Sequence, residues 1–472
     1  MRGLDYLFHP RSIAIVGASA DPSKRGYTYL AQLRDFGYLG GLYPVNPKGG
    51  TIMGVPVYPS LTDIPGDVDY VISAVPAEKL PMVIEECARK GVKVLQLFTA
   101  HLGETGETEM EKRIVEQTRR AGIRLLGPNC MGVYSPQERV TFRFGWNGLP
   151  GPVSFISQSA GHTSEVVYQA QVRGLGFNKV VSYGNAADIT ESELLSYLAH
   201  DPQTGLIAAY IEGVKDPDRF PIALREAAEH KPVIVIKVGR TPAGTRATRS
   251  HTASLSGSDS VIGAVIRQSG AIRVDTLEEL VDMLVAFNYL SPPTGRSIAA
   301  IGSGGGGSVL ICDECEAQGL SVPPLPAQVE SQLQLLLGDD WSLIKNPVDT
   351  SVVFPAGYDF SDLRLIFQYM ANHPDYHMLI GDNGEWWLDE PDDLIRYKQL
   401  TDTYIQVMGE SFKPGAVVVR HADCLEEWRW RASMEAMARC AQARLPVFPT
   451  IRRAATALSR FASYHLDHTS SP

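Results

Sequence analysis

Ser12-Ile-Ala-Ile-Val-Gly-Ala-Ser-Ala-Asp-Pro-Ser-Lys-Arg-Gly26 decides the fold of this chain. Its first half, Ser12 to Gly17, holds the unbroken apolar run Ile13–Val16 closed by glycine and reads as a buried strand. The turn from Gly17 to Gly26 is small and polar and opens toward a helical pattern over Tyr29 to Asp35. Backbone N–H groups in such a strand–turn–helix can receive a phosphate. The turn is not G-x-G-x-x-G. The next strand ends in Val45-Asn46-Pro47-Lys48, without the acidic residue that grips an adenosine ribose in nicotinamide enzymes. Lys48 favours a phosphorylated ribose or another anion there, so a phosphate-rich nucleotide other than NAD is expected.

Beyond this stretch, strands are expected at Gly41–Asn46, Val68–Val75, Lys93–Phe98 and Ile123–Gly127, with helices at Leu80–Lys90 and Glu107–Ala121 between them. Alternating elements with continuous apolar strands imply a parallel sheet covered on both faces. Residues 134–151 are rich in Gly, Pro and Arg and read as a linker. The pattern then restarts, with strands at Val153–Ile156, Lys179–Ser182, Leu206–Ile211 and Val233–Ile236. It breaks again at Ser291–Arg296 and resumes at Ser297-Ile-Ala-Ala-Ile-Gly302, running to about Tyr464. Domains at 1–133, 150–290 and 297–464 follow, roughly the number this length supports. The second and third open alike, with strand, small polar turn and helix, as flavodoxin-type units do.

A net charge of −10 with no basic, aromatic-laced stripe disfavours nucleic acid as a partner. No apolar run is long enough to span a membrane, and Met1–Pro10 does not read as a secretory signal. Six cysteines are too sparse for a disulfide framework. The pair Cys312 and Cys315 falls in a helical pattern with no second pair nearby, so no metal site is expected. A cytoplasmic location fits.

Four places carry chemistry. Ser157-Gln158-Ser159 and Gly304-Gly305-Gly306-Gly307-Ser308 each precede a helix whose free N–H groups and positive dipole end suit an anion. Glu212 follows the strand Leu206–Ile211, at the edge where such sheets place ligands. Between Gly239 and Gly257 lie three arginines, many small or hydroxyl residues, and His251. That segment reads as a weakly ordered, mobile loop carrying a nucleophilic imidazole. Glu212 could bond one ring nitrogen and so free the other to attack. Trp386, Trp387, Trp428 and Trp430 read as core residues, with a subunit interface or an acyl pocket as alternatives.

Ser12–Ser19, Pro44–Lys48, Gly127-Pro-Asn-Cys-Met-Gly132, Ile156–Ser159, Ser182-Tyr-Gly-Asn-Ala-Ala-Asp188, Ile211-Glu-Gly213, Ser250-His-Thr252 and Asn346-Pro-Val-Asp349 together resemble the nucleoside-diphosphate-forming acyl-CoA synthetases, the superfamily of succinyl-CoA synthetase. The chain closely resembles the α subunits of ADP-forming acetate–CoA ligases, and the likeness to the superfamily covers nearly the whole chain. It implies a Rossmann-like CoA-binding domain followed by two flavodoxin-like domains. It further implies that His251 is phosphorylated, that Glu212 steadies it, and that Ser157, Gln158, Ser159 and Gly304 to Ser308 hold its phosphate. Gly17, Ala18, Ser19, Lys24, Asn46, Pro47, Lys48 and Asn129 fall where CoA would be contacted.

The resemblance also implies a reaction: acyl-CoA, phosphate and ADP interconvert with a carboxylic acid, CoA and ATP through an acyl phosphate and phosphohistidine. Nothing after residue 290 reads as the ATP-grasp module that such enzymes need. ADP or ATP with Mg2+ is therefore expected on a separate β subunit, in an α2β2 assembly. Ala160 and Ala253 stand where the family usually has glycine, and the stretch Asp382–Trp387 is divergent. These departures leave the acid open between acetate and a bulkier or aromatic one. A non-catalytic CoA-binding regulator or scaffold is the competing reading, and a dehydrogenase the third. Retention of Glu212 and His251 favours the ligase over the scaffold, and Asn46 disfavours the dehydrogenase.

Overall fold

The computed structural model describes residues 3–100, 102, 108–252, 258–384, 388–420 and 426–469. They fall into two compact units, Met1–Gln171 with Leu175–Leu280, and Val172–Gly174 with Val281–Pro472. The protein is α/β, built on parallel sheets, and among the described residues no helix is long and apolar enough to cross a membrane.

The first unit holds two sheets. In one, the strands run Gly41–Val45, Ser12–Val16, Tyr70–Ser73, Val94–Leu97 and Arg124–Leu126 in spatial order, all parallel. Ser12–Val16 is buried along its whole length, as its unbroken apolar run requires. Its helices carry their own boundaries. Leu80–Lys90 has a proline in its first turn and ends on Gly91 in the left-handed region. The other sheet runs Ile272–Val274, Val233–Lys237, Leu206–Ile211, Pro150–Ser157 and Phe177–Ser182, again parallel, with Gly132–Tyr134 added antiparallel at the edge.

Arg124 ties these two sheets together. Its guanidinium donates to both carboxylate oxygens of Glu193 at 2.6 Å and to Asp188 Oδ2 at 2.9 Å. The motifs at Gly127 and Ser182 also meet, through Asn185 N–H to Pro128 O and Ala187 N–H to Gly127 O, both 3.0 Å. Gly184 allows that approach, because a Cβ there would collide with the carbonyls of Pro128 and Asn129.

The second unit's sheet runs Val348–Asp349, Ile298–Gly302, Met378–Asn383, Gly415–Val419 and Val447–Phe448, all parallel. Its core includes Phe367, Met370, Tyr404 and Val417, all fully buried. Each of the three sheets thus has the strand order 2-1-3-4-5, not counting the edge strand Gly132–Tyr134. That order puts a topological switch point beside the first strand, between it and the third, and ligands bind outside such points.

Three expectations are corrected. Residues 134–151 are not a loose linker: Tyr134, Phe142 and Trp146 are buried, with ring centroids 4.6 Å apart for Tyr134–Trp146 and 4.9 Å for Phe142–Trp146. Large aromatic area outweighed the Gly and Pro content there. The Gly239–Gly257 segment is not a loop throughout, because Pro242–Thr252 is helical. Thr241 Oγ1 accepts the Gly244 N–H at 3.1 Å, and Pro242 follows it at the first helical position, a hydroxyl cap and proline start. Trp430 is exposed rather than core, whereas Trp428 packs against the second unit's core. Trp386 and Trp387 lie outside the described residues.

Candidate functional site

At the first sheet's switch point, Gly17 adopts φ +88°, and a Cβ on it would press on Ala74 O and Val75. The turn after the first strand is thereby laid against the end of the third. The helix Arg25–Phe36 starts here, and its N-terminal N–H groups open onto a cavity of about 740 Å3. Gly17, Ala18, Ser19, Lys24 and Asn46 line that cavity, along with Arg25, Lys79, Phe98 and Thr99, which sequence reasoning missed. The Arg25 guanidinium lies 5.1 Å from the Phe98 ring centre. A helix start flanked by Lys24, Arg25 and Lys79 suits a polyanionic ligand of nucleotide size.

Asn46 latches the turn. Its amide donates to Ala18 O at 2.8 Å, and its Oδ1 accepts the Lys48 N–H at 3.0 Å. Pro47 and Lys48 are exposed and do not line the cavity. Asn129 does not line it either, but its N–H donates to the carbonyl of Thr99, which does.

At the second sheet's switch point the same stitching uses a side chain. Gln158, which is buried, accepts the N–H groups of Glu212 and, at 3.0 Å, Gly213 on its Oε1. Its Nε2 is buried without a partner among the described residues. Ser159 N–H donates to Ser157 Oγ at 3.2 Å, and His162 N–H to Ser159 Oγ at 3.3 Å, which starts the helix Ala160–Val172. Ser157, Gln158, Ser159 and Glu212 therefore meet at one strand edge, where Glu212 is nearly buried at 6% exposure. The His251 backbone belongs to the helix Pro242–Thr252, and its side chain lies outside the described residues.

Lys237, also missed from the sequence, supports this edge. Its Nζ donates to Glu212 O at 2.9 Å and to Val238 O. Burial lowers its pKa to about 8, below the usual 10.5. Below pH 8 both folded and unfolded chains carry the proton, and the burial penalty is fully present. Between about 8 and 10.5 the unfolded chain binds more protons, so this residue's contribution to stability rises with pH. Lys237→Met leaves two carbonyls without donors, which costs about 1–3 kcal/mol each when they stay buried. We expect urea titrations to show a less stable variant at pH 7 and a wider gap from wild type at pH 9.5. A constant gap would count against this protonation.

At the third switch point, Gly304 adopts φ +88° and caps the helix Gly305–Ala317. Ser303, Gly304 to Gly307, Ser351 and Arg420 line a cavity of about 430 Å3. Ser308 turns inward, with its Oγ buried. Ser303 Oγ donates to Asp382, which lies near the end of the sheet's third strand. Asp382 and Arg420 give no signal in the sequence, since only the parallel sheet brings them to the glycine turn. Cys312 and Cys315 share the following helix, with Cys315 buried and its thiol pushed up to about 12 by burial. Among the described residues no three His, Cys, Asp or Glu side chains group as metal ligands.

These features define an α/β protein with a small-residue turn and a helix start at the switch point of each of its three sheets. Residues 11–136 match the family model of a CoA binding domain, and residues 150–287 that of a succinyl-CoA ligase like flavodoxin domain. The chain is 36% identical over 466 residues to the α subunit of acetate–CoA ligase (ADP-forming) I of Pyrococcus furiosus, covering 97% of this chain and 96% of that one. The α subunit of ligase II of the same organism is 39% identical over 73% of this chain and 76% of its own. A solved structure of a dinucleotide-forming acetyl-coenzyme A synthetase from Ca. Korarchaeum cryptofilum, in complex with phosphate and ADP, superposes with a TM-score of 0.82 at 29% identity, with both chains fully covered. The chain belongs to the ADP-forming acyl-CoA synthetases of the succinyl-CoA ligase superfamily, as a member of their α-subunit type.

Proposed function

We propose that this chain is the CoA-binding, phosphohistidine-carrying α subunit of an ADP-forming acid–CoA ligase, with domains at 1–133, 150–290 and 297–464. The observation that carries the proposal is the nearly buried Glu212 at the Ser157–Ser159 turn, in a chain 36% identical throughout to such an α subunit. A carboxylate at that edge would orient an imidazole, and the adjacent helix start would hold the phosphate it carries.

The reaction takes three steps. A phosphate oxygen attacks the thioester carbonyl, and CoA leaves as its thiol. A ring nitrogen of His251 attacks phosphorus, and the carboxylic acid leaves. Phosphohistidine then passes its phosphoryl group to ADP. The protein's part in such transfers is mainly positioning and charge stabilisation. Gly17, Ala18, Ser19, Lys24 and Asn46 would form the CoA site, with Pro47, Lys48 and Asn129 at its margin. Nucleotide and Mg2+ would bind an ATP-grasp β subunit in an α2β2 assembly in the cytoplasm. The acid is a carboxylate, open between acetate, the family default, and a bulkier or aromatic one.

Reconstitution with an ATP-grasp subunit tests this. We expect CoA-dependent ADP release with at least one acid of a panel from acetate to aryl acids. No release with any acid, while CoA still binds, would favour the non-catalytic scaffold.

A further inference from the structure

The glycine turn of the second unit carries charge that its helix start does not account for. Asp382 is fully buried, and burial raises its carboxyl pKa. Its Oδ2 accepts from Ser303 Oγ and, at 3.3 Å, from Arg420 Nη2, while its Oδ1 has no hydrogen-bond partner among the described residues. A Cβ on Gly307 would lie 3.2 Å from that carboxylate, so the group sits directly against the turn. A buried acid in that position would oppose an anion unless a cation balanced it. Arg420 is that cation. Its side chain is 35% exposed and lines the 430 Å3 cavity over the glycines. A guanidinium has five N–H donors, and among the described residues the bond to Asp382 uses one of those of Arg420.

We propose that Arg420 is the charged ligand of inorganic phosphate or a phosphoryl group in this cavity, and that Asp382 is the positioning residue that aims it. The proposal rests on reading Gly304–Ser308 as a phosphate cradle. The helix start supplies free N–H groups and the positive end of its dipole. The absent Cβ atoms let an oxyanion reach the backbone. Arg420 supplies a planar fork that matches phosphate oxygens. A metal cation fits less well, because Asp382 already spends one oxygen on Ser303 and Arg420, and the helix dipole repels it.

The test is calorimetric titration of inorganic phosphate into the full-length chain in magnesium-free buffer, with CoA titrated separately. Losing a charge-assisted bond weakens binding by about 10-fold or more. We expect Arg420→Ala to weaken phosphate by that factor. Arg420→Lys should weaken it nearly as much, since an ammonium cannot hold Asp382 and a ligand in one fork. CoA affinity should stay at the wild-type value. In the complex with the nucleotide-binding partner, Asp382→Asn should raise KM for phosphate and spare KM for CoA. Wild-type phosphate affinity in both Arg420 variants would overturn the proposal, as would phosphate binding that appears only with magnesium. An unphosphorylated His251 would instead overturn the proposed function and leave this titration standing.

Discussion

Gly26→Ala is expected to weaken CoA binding by about 10- to 100-fold and to cost about 1–3 kcal/mol of stability, the range of overpacking in a tight site. Gly26 sits in the first turn of the helix Arg25–Phe36 and is buried. A Cβ on it would collide with the carbonyl group of Gly17 and the Cα of Ala18. All three are backbone atoms, so no side chain can swing away to make room. Either the helix start moves or Gly17 does, and both line the 740 Å3 cavity. Gly17 has little freedom, since its own N–H donates to Val45 O at 3.0 Å and its φ of +88° suits glycine alone. Calorimetry with CoA reads the loss, and phosphate affinity at the glycine turn of the other unit should not follow it. Unchanged CoA affinity in Gly26→Ala would place the CoA site elsewhere.

His251→Ala is expected to lower ATP formation by about four orders of magnitude or more, the usual scale for losing a nucleophile that forms a covalent intermediate. The loss should be selective. In the proposed mechanism the attack of phosphate on the thioester does not use His251, so phosphate-dependent CoA release should persist with acyl phosphate accumulating. Rapid-quench assays that follow CoA and ATP together separate these steps. Equal loss of both would mean that His251 acts before the acyl phosphate forms.

Much of this fold was legible because fully buried parallel strands cannot hide in a sequence. Ile13–Val16, Leu206–Ile211 and Val233–Ile236 are continuous apolar runs, and the strands that hold them all lie inside their sheets. The turns after first strands were equally plain, since small residues before a helix are required wherever backbone must approach a ligand. Less legible was anything that depends on which strand ends lie side by side. Ser303, Asp382 and Arg420 are far apart in the chain, and they meet because Ile298–Gly302, Met378–Asn383 and Gly415–Val419 are neighbours ending on one edge. Lys237 escaped notice for a similar reason, as its partner is the backbone of an adjacent strand end. The helix Pro242–Thr252 was missed because low apolar content masked its cap signals, Thr241 and Pro242.

Whether His251 carries the phosphoryl group is decided by incubating the chain and its ATP-grasp partner with γ-labelled ATP and Mg2+, and then mapping the label. The phosphohistidine mechanism predicts acid-labile, base-stable phosphate on His251, discharged by adding a substrate acid with CoA and absent from His251→Ala. Full labelling of His251→Ala, or label that survives acid, would contradict it.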